Sequence, residues 1–183
     1  MKNKWCVSVA FLFFLVGICI NACTQECNSS NNDRWSEEKI QKWYDDQDWL
    51  IGCNYIPATA INQIEMWSAD TFKPKQIDKE LSWAHDLGFN TLRVFLSSVV
   101  WKNDAKGMKK RMDEFLNICK KYSIRPMFVF FDDCWNAESA YGKQPELKPG
   151  VHNSGWVQDP SCSLRKDTLT LYPFLQEYVK DII

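Results

Sequence analysis

Arg125-Pro126-Met127-Phe128-Val129-Phe130-Phe131-Asp132-Asp133-Cys134-Trp135 is the stretch whose reading decides the fold. The apolar run from Met127 to Phe131, opened by Pro126, predicts a short strand buried on both faces, as in a parallel sheet covered by helices. The run then turns polar. Asp132, Asp133 and Trp135 put two carboxylates and a large ring just beyond the carboxyl end of that strand, where α/β folds place their ligand sites.

Working outward, Trp49 to Tyr55 predicts a first strand with Asn54 and Tyr55 emerging at its end. Asn90 to Leu96 predicts a second, interrupted by Arg93. A buried arginine is costly unless paired, so a carboxylate partner is expected beside it. Helices fit the segments between. Ser36 followed by Glu37 and Glu38 reads as a helix start, with Ile40, Trp43 and Tyr44 as the apolar face. Pro74 opens a helix with the stripe Ile77, Leu81, Ala84 and Leu87, closed by Gly88. A third helix runs from about Asp104 to Tyr122 on Met108, Met112, Phe115, Leu116, Cys119 and Tyr122. A last one follows Tyr172, with Pro173 in its first turn, and buries Leu175, Tyr178, Val179 and Ile182.

The resulting order is a run of βα units, and no Gly-rich phosphate fingerprint follows any strand. Two connections stand out. Residues 57–71 carry Asn62, Glu65, Met66 and Trp67, a mixture that lines sites or pins a loop to the body. Residues 136–163 carry His152 and Trp156, and structureless connections of that length are mostly functional or disordered.

Lys plus Arg number 22 against 23 Asp plus Glu, and no basic stripe interleaves with aromatics, so nucleic acid is not an expected partner. His85, with no second ligand one turn away, reads as a boundary residue, and no spacing of His or Cys suggests a metal or other cofactor. No Gly-x-Ser-x-Gly supports a serine hydrolase.

Residues 1–22 read as an export signal, with Lys2 and Lys4 before an apolar run too short for a membrane span. Ile20-Asn21-Ala22-Cys23 resembles a bacterial lipobox, which would make Cys23 the lipid-carrying first mature residue of a cell-surface or periplasmic lipoprotein. Asn21 departs from that pattern, so plain secretion and a retained anchor stay open. Residues 23–34 form a polar tether. Cys134 and Cys162 flank the long loop, and a bridge between them is one open possibility.

Several runs together are similar to the amino-terminal part of cellulase-type (β/α)8 glycoside hydrolases of the retaining, two-glutamate clan. They are Trp49-Leu50-Ile51-Gly52-Cys53-Asn54-Tyr55, Leu87-Gly88-Phe89-Asn90-Thr91-Leu92-Arg93-Val94-Phe95, Pro126 to Asp132, and Gly150-Val151-His152-Asn153-Ser154-Gly155-Trp156-Val157. The resemblance covers residues 35–183 and points to a cellulase-like or xylanase-like bacterial subfamily. It implies a partial (β/α)8 barrel of about three βα units and an oligo- or polysaccharide partner with β linkages. Arg93 would orient the nucleophile carboxylate, Asn54, Asp132 and His152 would contact sugar hydroxyls, and Trp135 and Trp156 would stack on sugar rings.

In that clan the acid is a Glu ending strand four and the nucleophile a Glu ending strand seven, about 5 Å apart in retaining enzymes. An eight-unit barrel takes roughly 250 residues, whereas 183 residues less the 22 of the signal leave 161. The expectation is therefore a hydrolase truncated before both catalytic glutamates and inactive alone, with a separately encoded remainder of the barrel as a candidate partner. Asp132 and Asp133 cannot replace that pair, because neighbours on an extended strand point to opposite faces. The other function class carried forward is a carbohydrate-binding surface lipoprotein without catalysis.

Overall fold

The structure is a computed structural model and describes residues 34–134 and 136–183. The signal segment 1–22, Cys23, the tether up to residue 33 and Trp135 lie outside the described residues. The chain divides after Gln47 into two units. Helix α1 (Glu37–Asp45) belongs to the first and starts as the sequence predicts, with the Ser36 hydroxyl accepting from the Lys39 N–H at 3.3 Å. Trp35 packs edge-on against Trp43 within it.

Residues 48–183 build a mixed α/β unit on a three-stranded parallel sheet in the order β1 (Gly52–Asn54), β2 (Thr91–Phe95), β3 (Arg125–Val129). The helices are α2 (Gln63–Trp67), α3 (Pro74–Asp86), α4 (Ser98–Lys121), α5 (Cys162–Arg165) and α6 (Thr168–Ile182). Strands with successive side chains on opposite faces need only one apolar face to fold against helices. Leu92 and Val94 supply it in β2, fully buried, while Thr91, Arg93 and Phe95 point to the other side.

Helix α4 is the hub of the covered face, packing on α2, α3, α6 and β3. Met108, Met112, Phe115 and Cys119 form its buried stripe, with Ile77 and Leu81 of α3 in the same core. The helix begins six residues before the predicted start and kinks at Asp104, which leaves helical geometry there. Asp104 restarts the coil as a cap, accepting from the Gly107 N–H at 3.0 Å and pairing with Arg111 at 2.8 Å. The predicted start at Asp104 therefore marks the second segment.

Four further expectations are corrected. β3 is no more than half-buried, on its helix-facing side, while Met127 and, just beyond the strand, Phe131 are 57% and 42% exposed, because no described layer covers the side of the sheet that carries Arg93. Leu87 is 75% exposed, since the helix ends at Asp86 and Gly88 (φ +85°) turns the chain away before residue 87 can reach the core. Helix α6 starts five residues before Pro173, because Asp167 caps it through the Thr170 N–H. Its buried residues are Leu171 and Tyr178, while Leu175 is only half-buried. Among the described residues no helix is long and apolar enough to cross a membrane.

Cys53, Cys119, Cys134 and Cys162 are all free thiols, so the bridge between Cys134 and Cys162 is not formed. Their backbones are tied elsewhere, Cys134 O to the Gln158 amide and Cys162 N to Ala137 O. Burial pushes the Cys119 thiol up to about 12 and the Cys134 thiol up to about 11. A disulfide reagent at pH 8 is expected to modify exposed Cys53 first and Cys119 last, with all four accessible on unfolding without reductant. A Cys134 and Cys162 pair that reacted only after reduction would contradict the free thiols.

Candidate functional site

The register of the sheet assembles the site. Asn54 of β1 is paired with Arg93 of β2, so both side chains stand on the uncovered face and meet, Arg93 Nη1 donating to Asn54 Oδ1 at 3.3 Å. Two residues along the same face, the Phe95 ring lies under the guanidinium, 4.4 Å from Arg93 Cζ. That contact partly desolvates the cation and fixes its plane. No direct ion pair reaches Arg93 among the described residues: its contacts are an amide oxygen and an aromatic face, and the nearby Asp132 carboxylate interacts with it through charge alone.

The long connection after β3 folds back over the strand ends instead of hanging free. Asp132 and Asp159 form an antiparallel bridge, each N–H donating to the other's carbonyl at 2.8 and 2.9 Å, and Asn136 pairs with Val157. Buried amides on both sides of the loop replace the missing ladder. Asn62 Nδ2 donates to Gln144 Oε1 at 2.9 Å and to Gly155 O at 3.0 Å, and Gln63 Nε2 to Val157 O at 3.0 Å. Asn136 Nδ2 reaches Ser154 O and Trp156 O. Gly155 has to be small, since a Cβ there would lie 2.3 Å from Ile61 Cγ2.

These anchors set Trp156 against Phe95, ring centroids 6.4 Å apart. The outcome is a small pocket, partly open to solvent, lined by Asn54, Tyr55, Ile56, Gln63, Met66, Phe95, Asp132 and Trp156. Burial lifts the Asp132 carboxyl above the usual aspartate range, opposed by the Asp133 N–H and by the charge of Arg93. Tyr55 turns its hydroxyl away to Glu80 at 2.8 Å, so its burial and that acceptor keep it a neutral phenol. A half-buried carboxyl, an amide and two aromatic faces can hold a polyol by hydrogen bonds at its hydroxyls and apolar contact at its C–H faces. Asp132 is the one carboxylate among the lining residues.

Compared with family models, with curated proteins and with solved structures, the chain finds no match.

Of the residues singled out in the sequence, the fold brings Asn54, Asp132 and Trp156 into the pocket and sets Arg93 at its edge. His152 sits exposed on the turn before Trp156 and is not among the lining residues. The tight turn closed by the Trp156 N–H on Asn153 O, with Asn153 at positive φ, carries the backbone of 152 outside the bridged part of the loop. Asp133 points outward to Arg165 at 3.1 Å. Trp135 lies outside the described residues. Among the described residues no three His, Cys, Asp or Glu side chains cluster as metal ligands.

Proposed function

We propose that residues 48–183 carry the sugar-contacting face of an exported (β/α)8 glycoside hydrolase of the retaining, two-glutamate type, with β1, β2 and β3 as the first three strands of its barrel. The observation that carries the reading is the meeting of Asn54, Arg93 and Asp132 with the rings of Phe95 and Trp156 at the carboxyl ends of parallel strands. The sequential strand order supports a singly wound sheet. So does the uncovered face bearing Thr91, Arg93 and Phe95, since a closing barrel takes one face of every strand inward. Export through residues 1–22 and a lipid anchor on Cys23, at the cell surface or in the periplasm, belong to the same reading. In it Arg93 orients a nucleophile carboxylate contributed by another strand, and Asp132 with Asn54 holds sugar hydroxyls.

One observation favours the second reading, sugar binding without catalysis. A retaining mechanism needs two carboxyl groups on either side of one bond, and Asp132 lines the pocket alone.

Calorimetric titration with cellohexaose and with xylohexaose tests both. Binding of at least one is expected, and Trp156→Ala is expected to weaken it about tenfold or more, a stacked ring being worth on the order of 1.4 kcal/mol. No release of reducing ends is expected from this chain alone. Absence of binding at millimolar sugar would remove the carbohydrate reading. Hydrolysis abolished by Asp132→Asn would instead give that carboxyl a catalytic role.

A further inference from the structure

Asp159 is the most deeply buried carboxylate of the described residues, 1% exposed, and lies outside the pocket. Its side chain seats on the first turn of α4, where the free N–H groups of a helix start favour an anion. One carboxylate oxygen accepts from the Ser98 N–H at 2.7 Å, and the other takes the Ser98 hydroxyl. The Ser97 hydroxyl and the Val99 N–H also favour its charged form. Its backbone does a different job. Both hydrogen bonds of the bridge that fixes Asp132 are made by the N–H and carbonyl of Asp159.

We propose that Asp159 is a positioning residue for the pocket: its carboxylate ties the loop to the start of α4 while its backbone holds Asp132 at the pocket wall, so proton uptake by Asp159 loosens Asp132. The inference rests on the sugar reading only for what Asp132 then holds. Protonation turns one of the two oxygens that accept from the Ser98 N–H and hydroxyl into a donor, and so breaks up the pair of bonds that the carboxylate makes to that helix turn.

The groups around Asp159 leave little to compete with it. Helix α6 brings Tyr178, whose buried hydroxyl has no hydrogen-bond partner and is kept a neutral phenol by burial and by the charge of Asp159. The first turn of α4 brings Ser98, Val99, Val100 and Trp101, with no charge. On the loop side Asp132 is joined to it through the backbone, and Arg165 of α5 is engaged by Asp133 and Gln158. Burial pushes the Asp159 carboxyl up to about 6 against these donors, which brings its titration into mildly acid solution. Because the folded value lies above the unfolded one, the contribution of Asp159 to stability rises as pH falls from about 6 toward the ordinary aspartate value of 3.8. Loosening of Asp132 over the same interval runs against that trend and separates positioning from bulk stability.

The test follows the backbone amide of Asp132 by heteronuclear NMR in the full labelled chain between pH 4 and 8, without ligand. The wild type is expected to show an inflection near pH 6 besides the one from its own carboxyl. Asp159→Asn should remove that inflection, and Ser98→Ala, by taking away one donor to the carboxylate, should move it upward. An Asp132 amide blind to pH near 6, or an inflection unchanged in Asp159→Asn, overturns the proposal. Should Asp159→Asn fail to fold, an unmoved inflection in Ser98→Ala overturns it. Cellohexaose titrations at pH 5 and 7.5 add a separate arm: affinity several-fold lower at pH 5 in the wild type and flat in Asp159→Asn is the expected pattern. An intact inflection with no sugar bound at either pH supports the positioning role and removes only the sugar assignment.

Discussion

Replacing Trp67 with alanine is expected to lower the unfolding free energy by about 3–5 kcal/mol, at the top of the range for single core truncations. The indole is fully buried and sits between layers. Its ring meets Phe115 of α4 at 5.6 Å and Phe128 of β3 at 6.3 Å, both edge to face, and stacks on Phe72 at 6.4 Å. Such pairs add to the area buried. Truncation also leaves two polar consequences. Trp67 Nε1 donates to Phe95 O at 2.8 Å, so the last carbonyl of β2 would lose its partner at the rim of the pocket. The Trp67 carbonyl takes the Arg111 Nε–H at 2.6 Å, and a backbone shift into the cavity would strain that tie between α2 and α4. Trp67→Phe keeps most of the ring volume and loses only the N–H, so about 1–2 kcal/mol is expected from it. Urea denaturation of the three proteins checks the order. A loss under about 1 kcal/mol in Trp67→Ala would mean that α2 is not part of the core.

Much of this fold is legible in the sequence because local chemistry and tertiary packing agree. Pro74 and Gly88 bound α3, and Ile77 and Leu81 keep helical spacing because that face meets α4. Leu92 and Val94 alternate with Arg93 and Phe95, which already tells the covered face from the open one. Other features depend on what stands across the sheet. The run from Met127 to Phe131 reads as two-sided burial, and only the placement of the helices shows Met127 in the open. Helix α2 is five residues long, under two turns, and apolar periodicity cannot announce an element so short.

The site divides the same way. Asn54 and Arg93 follow from position at strand ends, and their direct contact follows from parallel register. Phe95 carries a usable signal, two residues beyond Arg93 on the same face, and was the lining residue most open to prediction. Gln63 had none. Its amide matters because Val157 O lies 94 residues away in the chain, and no local pattern encodes a partner at that separation. The arginine in the strand likewise implies a carboxylate nearby, and Asp132 supplies one through its charge, while the direct contacts of the half-buried guanidinium are an amide and a ring.

Removal of Asn62 has the second-largest expected effect. The side chain is fully buried and uses both ends of its amide. Oδ1 accepts from the Ile64 and Glu65 N–H groups at 3.1 and 3.3 Å and so starts α2. Nδ2 holds Gln144 and Gly155, and through Gly155 the segment that sets Trp156 on Phe95. Asn62→Ala is expected to cost about 3 kcal/mol, roughly 1 from the lost cap and the rest from two buried acceptors left unpaired. Asn62→Ser keeps a capping oxygen and loses the two donors, so it should recover about 1 kcal/mol of that loss. The loop is the discriminating readout. Both variants are expected to expose Trp156 to acrylamide quenching, measured against Trp156→Phe backgrounds, even though the serine protein retains α2. Equal stability of the serine and alanine proteins would deny the cap its share. Unchanged quenching in both would detach Asn62 from the pocket and leave the loop held by Gln63 and Asn136.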